Sequence, residues 1–173
     1  LNGYTYGGAI VRGDRVLAHL CWGGNPGINV KTTSDESPVL AAALREFSNV
    51  TGIPHLPTRV DACCDWDEEG LFDSLSAHLR AYAVANRLAI NQQGDWERGQ
   101  ARTLYIGSKD SPARLVLYEK GYELGGGASR HLVRLEARVR PKKNHRHMVA
   151  SWNAGMVFCA GWIPDALHVL DWE

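Results

Sequence analysis

At 173 residues, 45% of them hydrophobic and 22% charged, the chain is long enough for one well-buried domain and short for two. Its formal net charge is zero, which argues against a polycation that adheres to any anionic surface. No apolar run reaches the roughly 18 to 20 residues of a membrane span and no signal peptide is recognisable, so a cytoplasmic protein without a membrane partner is expected.

The first residue is Leu1 rather than Met, as in a domain trimmed from something longer; a single domain over 1–173 is the expectation. Cys21, Cys63, Cys64 and Cys159 form no C-x-x-C pair, so reduced thiols are expected rather than a disulfide framework or a zinc knuckle.

In chain order, Tyr4 to Val11 and Arg15 to Trp22 flank Arg12-Gly13-Asp14 and read as a β-hairpin. A third strand follows around Ile28 to Thr32. Ser37 is placed to cap a helix with Pro38 at its first position and Gly52 at its end; Val39, Leu40, Ala43, Leu44 and Phe47 form its stripe. "TRVDACCDW", 58 to 66, alternates as a strand. A second helix is expected from about Glu68 to Leu88, burying Leu71, Leu75, Leu79 and Tyr82. "NQQGDWERGQ" reads as a polar connection. Strands over 103–106, 114–120 and 133–140 follow, the last ended by Pro141, and the tail from Met148 to Glu173, with Trp152, Leu167 and Leu170, reads as helical. The order predicts an α+β domain with a mainly antiparallel sheet and helices packed on one face.

Parity then sorts the strands. Leu115 and Leu117 face one way, and Arg114, Val116, Tyr118 and Lys120 the other. Val133, Leu135, Ala137 and Val139 oppose Arg134, Glu136, Arg138 and Arg140; Val60, Ala62, Cys64 and Trp66 oppose Arg59, Asp61, Cys63 and Asp65. In one sheet, Asp61, Asp65 and Glu136 would meet Tyr118, Lys120 and several arginines on one surface. Three carboxylates need a neutralising partner, and carboxylate oxygens are the hard ligand set of Mg²⁺ or Mn²⁺. Such an ion would polarise a phosphate oxygen that the tyrosine attacks. Lys120 and the arginines would lower the tyrosine pKa or steady transition-state charge. The same alternation suits a solvated face of arginine–carboxylate cross-strand pairs.

"TRVDACCD", "TLYIGSKDS", "LVLYEKGYELGG" and "VRLEARVRPK", in that order, resemble the replication initiation factor family. These are rolling-circle replication initiators of plasmids, filamentous phages and integrative elements, related to conjugative relaxases. The resemblance runs from about Arg59 to Lys143. It implies a sequence-specific nickase and strand transferase that keeps the 5′ phosphate of an origin hairpin on a tyrosine and leaves a 3′ hydroxyl. Tyr118 falls on the tyrosine of "LYEKG", Glu136 on the glutamate of "RLE", and Arg59, Asp61 and Asp65 on the metal-binding strand. Tyr122, four residues on, is the alternative nucleophile.

The chain departs from many tyrosine nickases in lacking a His-hydrophobic-His motif. His145-Arg146-His147 has the spacing but a charged centre, and reads as part of a basic tail. Gly125-Gly126-Gly127 reads as a loose loop. Arg59, Arg98, Arg114, Arg134, Arg138, Lys142 and Lys143 are candidate phosphate contacts, and Trp96 a candidate for stacking on an unpaired base. Single-stranded or hairpin origin DNA is the expected partner. The resemblance adds a host helicase and a second copy of the chain as partner candidates, with no residue pattern assigning either a face. Two other readings use the same residues: a DNA-binding module without turnover, and a metal-dependent nuclease that uses water.

Overall fold

The computed structural model describes residues 3–32, 36–125 and 127–168; Gly126 of the glycine run and the tail positions 169–173, with Leu170, lie outside the described residues. Contacts divide the chain into two compact units, Leu1–His55 and Leu56–Glu173, where composition suggested one domain.

The first unit is a three-stranded antiparallel sheet, β1 (Tyr4–Arg12), β2 (Arg15–Gly24) and β3 (Asn29–Lys31), with helix α1 (Glu36–Thr51). The hairpin falls where expected, with Gly13 supplying a φ of +59° in its turn. Helix α1 already includes Glu36, so Ser37 sits in its first turn rather than as its cap. Gly52 closes it as expected, its N–H donating to the Ser48 carbonyl. Among the described residues of this unit, Ala18 is the one buried hydrophobic side chain, while Tyr6, Val11, Trp22, Val39 and Phe47 are exposed.

The second unit holds a five-stranded antiparallel sheet in the order β4-β8-β7-β6-β5. Its strands are β4 (Val60–Asp67), β5 (Ile90–Asp95), β6 (Gln100–Ile106), β7 (Ala113–Glu119) and β8 (Leu132–Val139). Helix α2 (Leu71–Ala85) is shorter at both ends than its hydrophobic period suggested. Gly70, at φ +78°, precedes it. The stripe is turned by about one residue: Phe72, Leu75, Leu79 and Ala83 are buried, Leu71 and Tyr82 only partly.

The polar stretch 91–100 is not a connection. It forms most of edge strand β5 and the turn into β6. An edge strand exposed on both faces has no apolar alternation to reveal it. Gly94, at φ +89°, marks a register shift in this pair, and a Cβ there would lie 2.1 Å from the Ala101 carbonyl oxygen.

One face of the sheet is apolar. Leu104, Ile106, Leu115, Leu117, Leu135 and Ala137 are fully buried on it, each of the larger ones contributing about 1.5–3 kcal/mol. Helix α2 covers β6 and β7. Beyond β8 come a 3-10 turn (Lys143–His145) and three short helices, α4 (Arg146–Val149), α5 (Ala154–Phe158) and α6 (Ile163–Leu167); α5 packs on β4 and β8, and α6 on β7. The remaining helix, α3 (Lys120–Leu124), follows β7 directly. The architecture is α+β, as expected. No helix among the described residues is long and apolar enough to cross a membrane.

Candidate active site on the polar face of the sheet

The strand registers turn the parity argument into rows. Asp65, Arg134, Tyr118 and Thr103 lie side by side across β4, β8, β7 and β6. The neighbouring row runs Cys63, Glu136, Val116, Tyr105, and the next Asp61, Arg138, Arg114. The other face is sealed by helices, so these residues form the accessible side of the sheet.

Asp61 and Glu136 share two arginines. The Arg59 guanidinium donates to both Asp61 oxygens and lies 3.9 Å from Glu136. Arg138 Nε donates to Glu136 at 2.5 Å and stands 4.0 Å from Asp61. Asp65 lies a row beyond, held by Arg134 through two bonds of 2.5 and 2.6 Å. That bidentate bond, with the positive charge, draws the Asp65 carboxyl below its ordinary range and raises Arg134 further. The three carboxylates expected together are thus two plus one. Among the described residues no group of three His, Cys, Asp or Glu side chains is gathered around one ion position. Two hard carboxylates with substrate phosphate oxygens and water are nonetheless a usual Mg²⁺ donor set, and the Asp61–Glu136 pair fits it.

Tyr118 is half-buried, and burial pushes its hydroxyl above the usual tyrosine range even though Arg134 pulls the other way. The lowering expected from the arginines is exerted by Arg134 but outweighed by loss of hydration. Lys120 is not on the strand face, because β7 ends at Glu119 and Lys120 opens α3. Its ammonium lies 5.7 Å from the Tyr118 ring centre and pairs with Glu123 at 2.8 Å.

Helix α3 redirects the chain so that Tyr122 and Tyr118 line one open pocket of about 330 Å³, together with Thr103, Tyr105, Val116 and Arg138. Gly121, Glu119 and Arg102 build this bend. Gly121 packs so closely on the following loop that a Cβ would sit 1.9 Å from the Ser129 carbonyl oxygen. Glu119, 8% exposed, accepts from the Arg102 backbone N–H at 2.7 Å and from its guanidinium at 2.9 Å. Arg102 also donates to Asp73 at 2.6 Å and lies 4.3 Å from the Phe72 ring centre. Burial would lower its pKa, but these bonds more than offset that and hold it charged. Arg102 and Glu119 interrupt otherwise apolar parities in β6 and β7, which is the signal that could have found them.

The proposed DNA contacts fall into three groups. Arg59, Arg134 and Arg138 lie on the polar face in carboxylate pairs. Arg114 is there too, its guanidinium 4.2 Å from the Tyr105 ring centre, with no carboxylate pair among the described residues and a buried Nε lacking any partner. Burial, then the nearby Arg138, Arg140 and Arg59 charges, lowers its pKa. Arg98 lies at the β5–β6 turn paired with Asp95, and Lys142 and Lys143 are exposed beyond β8. Trp96 packs on Phe72 at 5.6 Å between ring centres and donates to the Gln93 carbonyl, so it is committed within the unit.

No protein-family model matches the chain, and no curated protein does. A solved structure described as a rolling circle replication initiator protein from Geobacillus stearothermophilus does, with a TM-score of 0.53 and 19% identity over 90% of this chain. The match spans 62% of that protein's chain. The present chain has the fold of that initiator.

Proposed function

We propose that the chain is a strand-nicking initiator of rolling-circle replication, acting in the cytoplasm on single-stranded or hairpin origin DNA of a plasmid, phage or related mobile element. The observation that carries this reading is a half-buried tyrosine in an open pocket, on a sheet face that also presents a carboxylate pair, Asp61 and Glu136, and a guanidinium, Arg114, with no carboxylate of its own among the described residues. A host helicase and a second copy of the chain are the further partners this reading brings.

Arg134, beside Tyr118 in its row, and Arg138, which lines the same pocket, bind and orient the scissile phosphate, and Arg114, two rows along β7, takes a neighbouring phosphate. Tyr118 Oη attacks phosphorus; the new P–Oη bond forms as the P–O3′ bond breaks. The phenolic proton leaves to water and the departing 3′ oxygen takes one up, so one phosphodiester replaces another and the step can be reversed without ATP. Because Tyr118 is a phenol at neutral pH, that proton must leave during attack. Asp61 and Glu136 would hold Mg²⁺ or Mn²⁺, which supplies Lewis-acid polarisation of the phosphate when bound. Arg59 and Arg138 then pass from the carboxylates to phosphate oxygens. Tyr122, in the same pocket, is the alternative nucleophile.

A second reading is a DNA-binding sheet without turnover. It is favoured by one fact: Asp61, Asp65 and Glu136 are each already neutralised by arginine. Labelled single-stranded DNA carrying a candidate origin hairpin, with Mn²⁺ or EDTA, separates the two. A DNA–protein adduct that disappears with EDTA and with Tyr118→Phe supports the nickase. Loss with Tyr122→Phe alone moves the chemistry to Tyr122. Cleavage without adduct indicates attack by water, and tight binding without cleavage the binding sheet.

A further inference from the structure

At the opposite end of β7 from Tyr122 lies a second pocket, of about 320 Å³, that the nicking chemistry leaves unused. Its lining is largely apolar, with the buried Ala113, Val139 and Val149 beside half-buried Trp152 and exposed Met148. Arg140, Lys142 and His145 complete it. Among the described residues none of these three is in a salt bridge with a carboxylate; the Arg140 guanidinium donates to the Lys109 carbonyl, a neutral acceptor that leaves its charge uncancelled. An apolar slot containing an indole, bordered by the uncancelled charges of Arg140 and Lys142 and by the His145 ring, is complementary to a flat apolar ring carrying an anion.

We propose that this pocket receives one unpaired base of the bound DNA strand, with Trp152 against the base and Arg140, Lys142 and His145 on its phosphate. The inference rests on the reading of the chain as a single-strand-binding initiator and adds a site to it. Two features connect the pocket to the nicking face. Ala113 and Val139, in the pocket, immediately adjoin Arg114 and Arg138 on the polar face, and the Arg140 charge reaches Arg114. Arg114 and Arg140, neither in a salt bridge among the described residues, thus lie together where the polar face meets the pocket. Tyr118 and Ala113 are five residues apart on β7, about 17 Å, which a stacked strand covers in about five nucleotides. A base captured there would fix which phosphate stands opposite Tyr118.

The test uses the chain as it is, titrated with deoxyadenosine monophosphate, deoxyribose 5-phosphate and inorganic phosphate, while NMR follows the Trp152 indole and Met148 methyl. The nucleotide is expected to shift both signals, and the two compounds without a base to leave them in place at the same concentrations. Trp152→Leu should weaken nucleotide binding about tenfold, as expected for one stacked base. Because that variant removes packing, Lys142→Gln, at an exposed position, is the companion and should weaken it several-fold with the fold unchanged. Equal shifts from all three compounds, or nucleotide shifts confined to the Tyr118 pocket, would overturn the base site. Shifts at Trp152 only with an apolar peptide would assign the pocket to a protein segment and overturn it too. The adduct experiment at Tyr118 does not depend on these signals, so the two readings fail separately.

Discussion

Leu117 and Tyr118 are neighbours in β7 and face opposite worlds. Leu117 is 0% exposed against the helices, among side chains whose work is to stay dry. Tyr118 stands in a row with Asp65, Arg134 and Thr103, where nearly every group carries charge or a hydroxyl. The apolar face draws its stability from area removed from water, with little demand on angle. The polar face gains less from its exposed ion pairs but fixes side chains in register. A sheet of this kind can thus be broken in two distinguishable ways, by losing its fold or by losing its chemistry.

The sharpest contrast is between adjacent substitutions. Tyr118→Phe is expected to abolish the covalent DNA adduct, by roughly a thousandfold or more given the whole nucleophile is removed, with the melting curve nearly unchanged. Leu117→Ala should instead lower stability by about 2–5 kcal/mol, read by urea unfolding, with adduct formation falling only as the folded fraction falls. If both variants lost adduct and stability together, the division between faces would be wrong. Gly121→Ala comes next. Its Cβ would collide with the Ser129 carbonyl, costing on the order of 1–3 kcal/mol as overpacking, and should reduce adduct yield beyond its loss of stability because the Tyr118–Tyr122 bend shifts.

Smaller effects sharpen the picture. Arg114→Gln should weaken single-stranded DNA binding and reduce the slope of log affinity against log salt by about 0.7, one phosphate contact. Smallest is Asp65→Asn. The Asp65 pKa is lowered in the folded chain by Arg134, so its stabilisation is present above the ordinary carboxylate range and is lost as pH falls through the lowered value. The stability of the wild type should therefore fall towards acid more steeply than that of Asp65→Asn, read by urea unfolding, and the two should converge at low pH.

Strand parity made the two faces legible before any coordinates. The apolar alternates of β7 and β8 are the buried ones, and Tyr118, Arg134, Glu136 and Arg138 share the open side. What parity cannot give is distance along the strand. It grouped Asp61, Asp65 and Glu136 by face, whereas register puts them in three successive rows, and the arginines tie Asp61 to Glu136 and hold Asp65 apart in the row of Tyr118. Parity alone does not end β7 at Glu119, because Lys120 and Tyr122 continue the alternation; Gly121 is the residue that allows a turn there, and the bend follows from its packing against the distant Ser129 backbone. β5 was hidden for a related reason: an edge exposed on both faces leaves no hydrophobic period. The resemblance to initiators supplied the fold correctly, and the carboxylates it assigned to one metal are held by arginines in two separate groups.

The strand order has a consequence for how the molecule assembles in time. β5, β6, β7 and β8 are successive neighbours in the sheet, whereas β4 joins β8 across the whole intervening chain, Asp65 pairing with Arg134. Closing that span costs more chain entropy than forming each nearer pairing, so β4 is expected to dock late. Asp61 and Asp65 would then reach the face only after the tyrosine strand is folded, keeping the acidic row incomplete in the emerging polypeptide. Low φ-values in β4 beside higher ones in β7 would bear this order out; high values in β4 would reverse it.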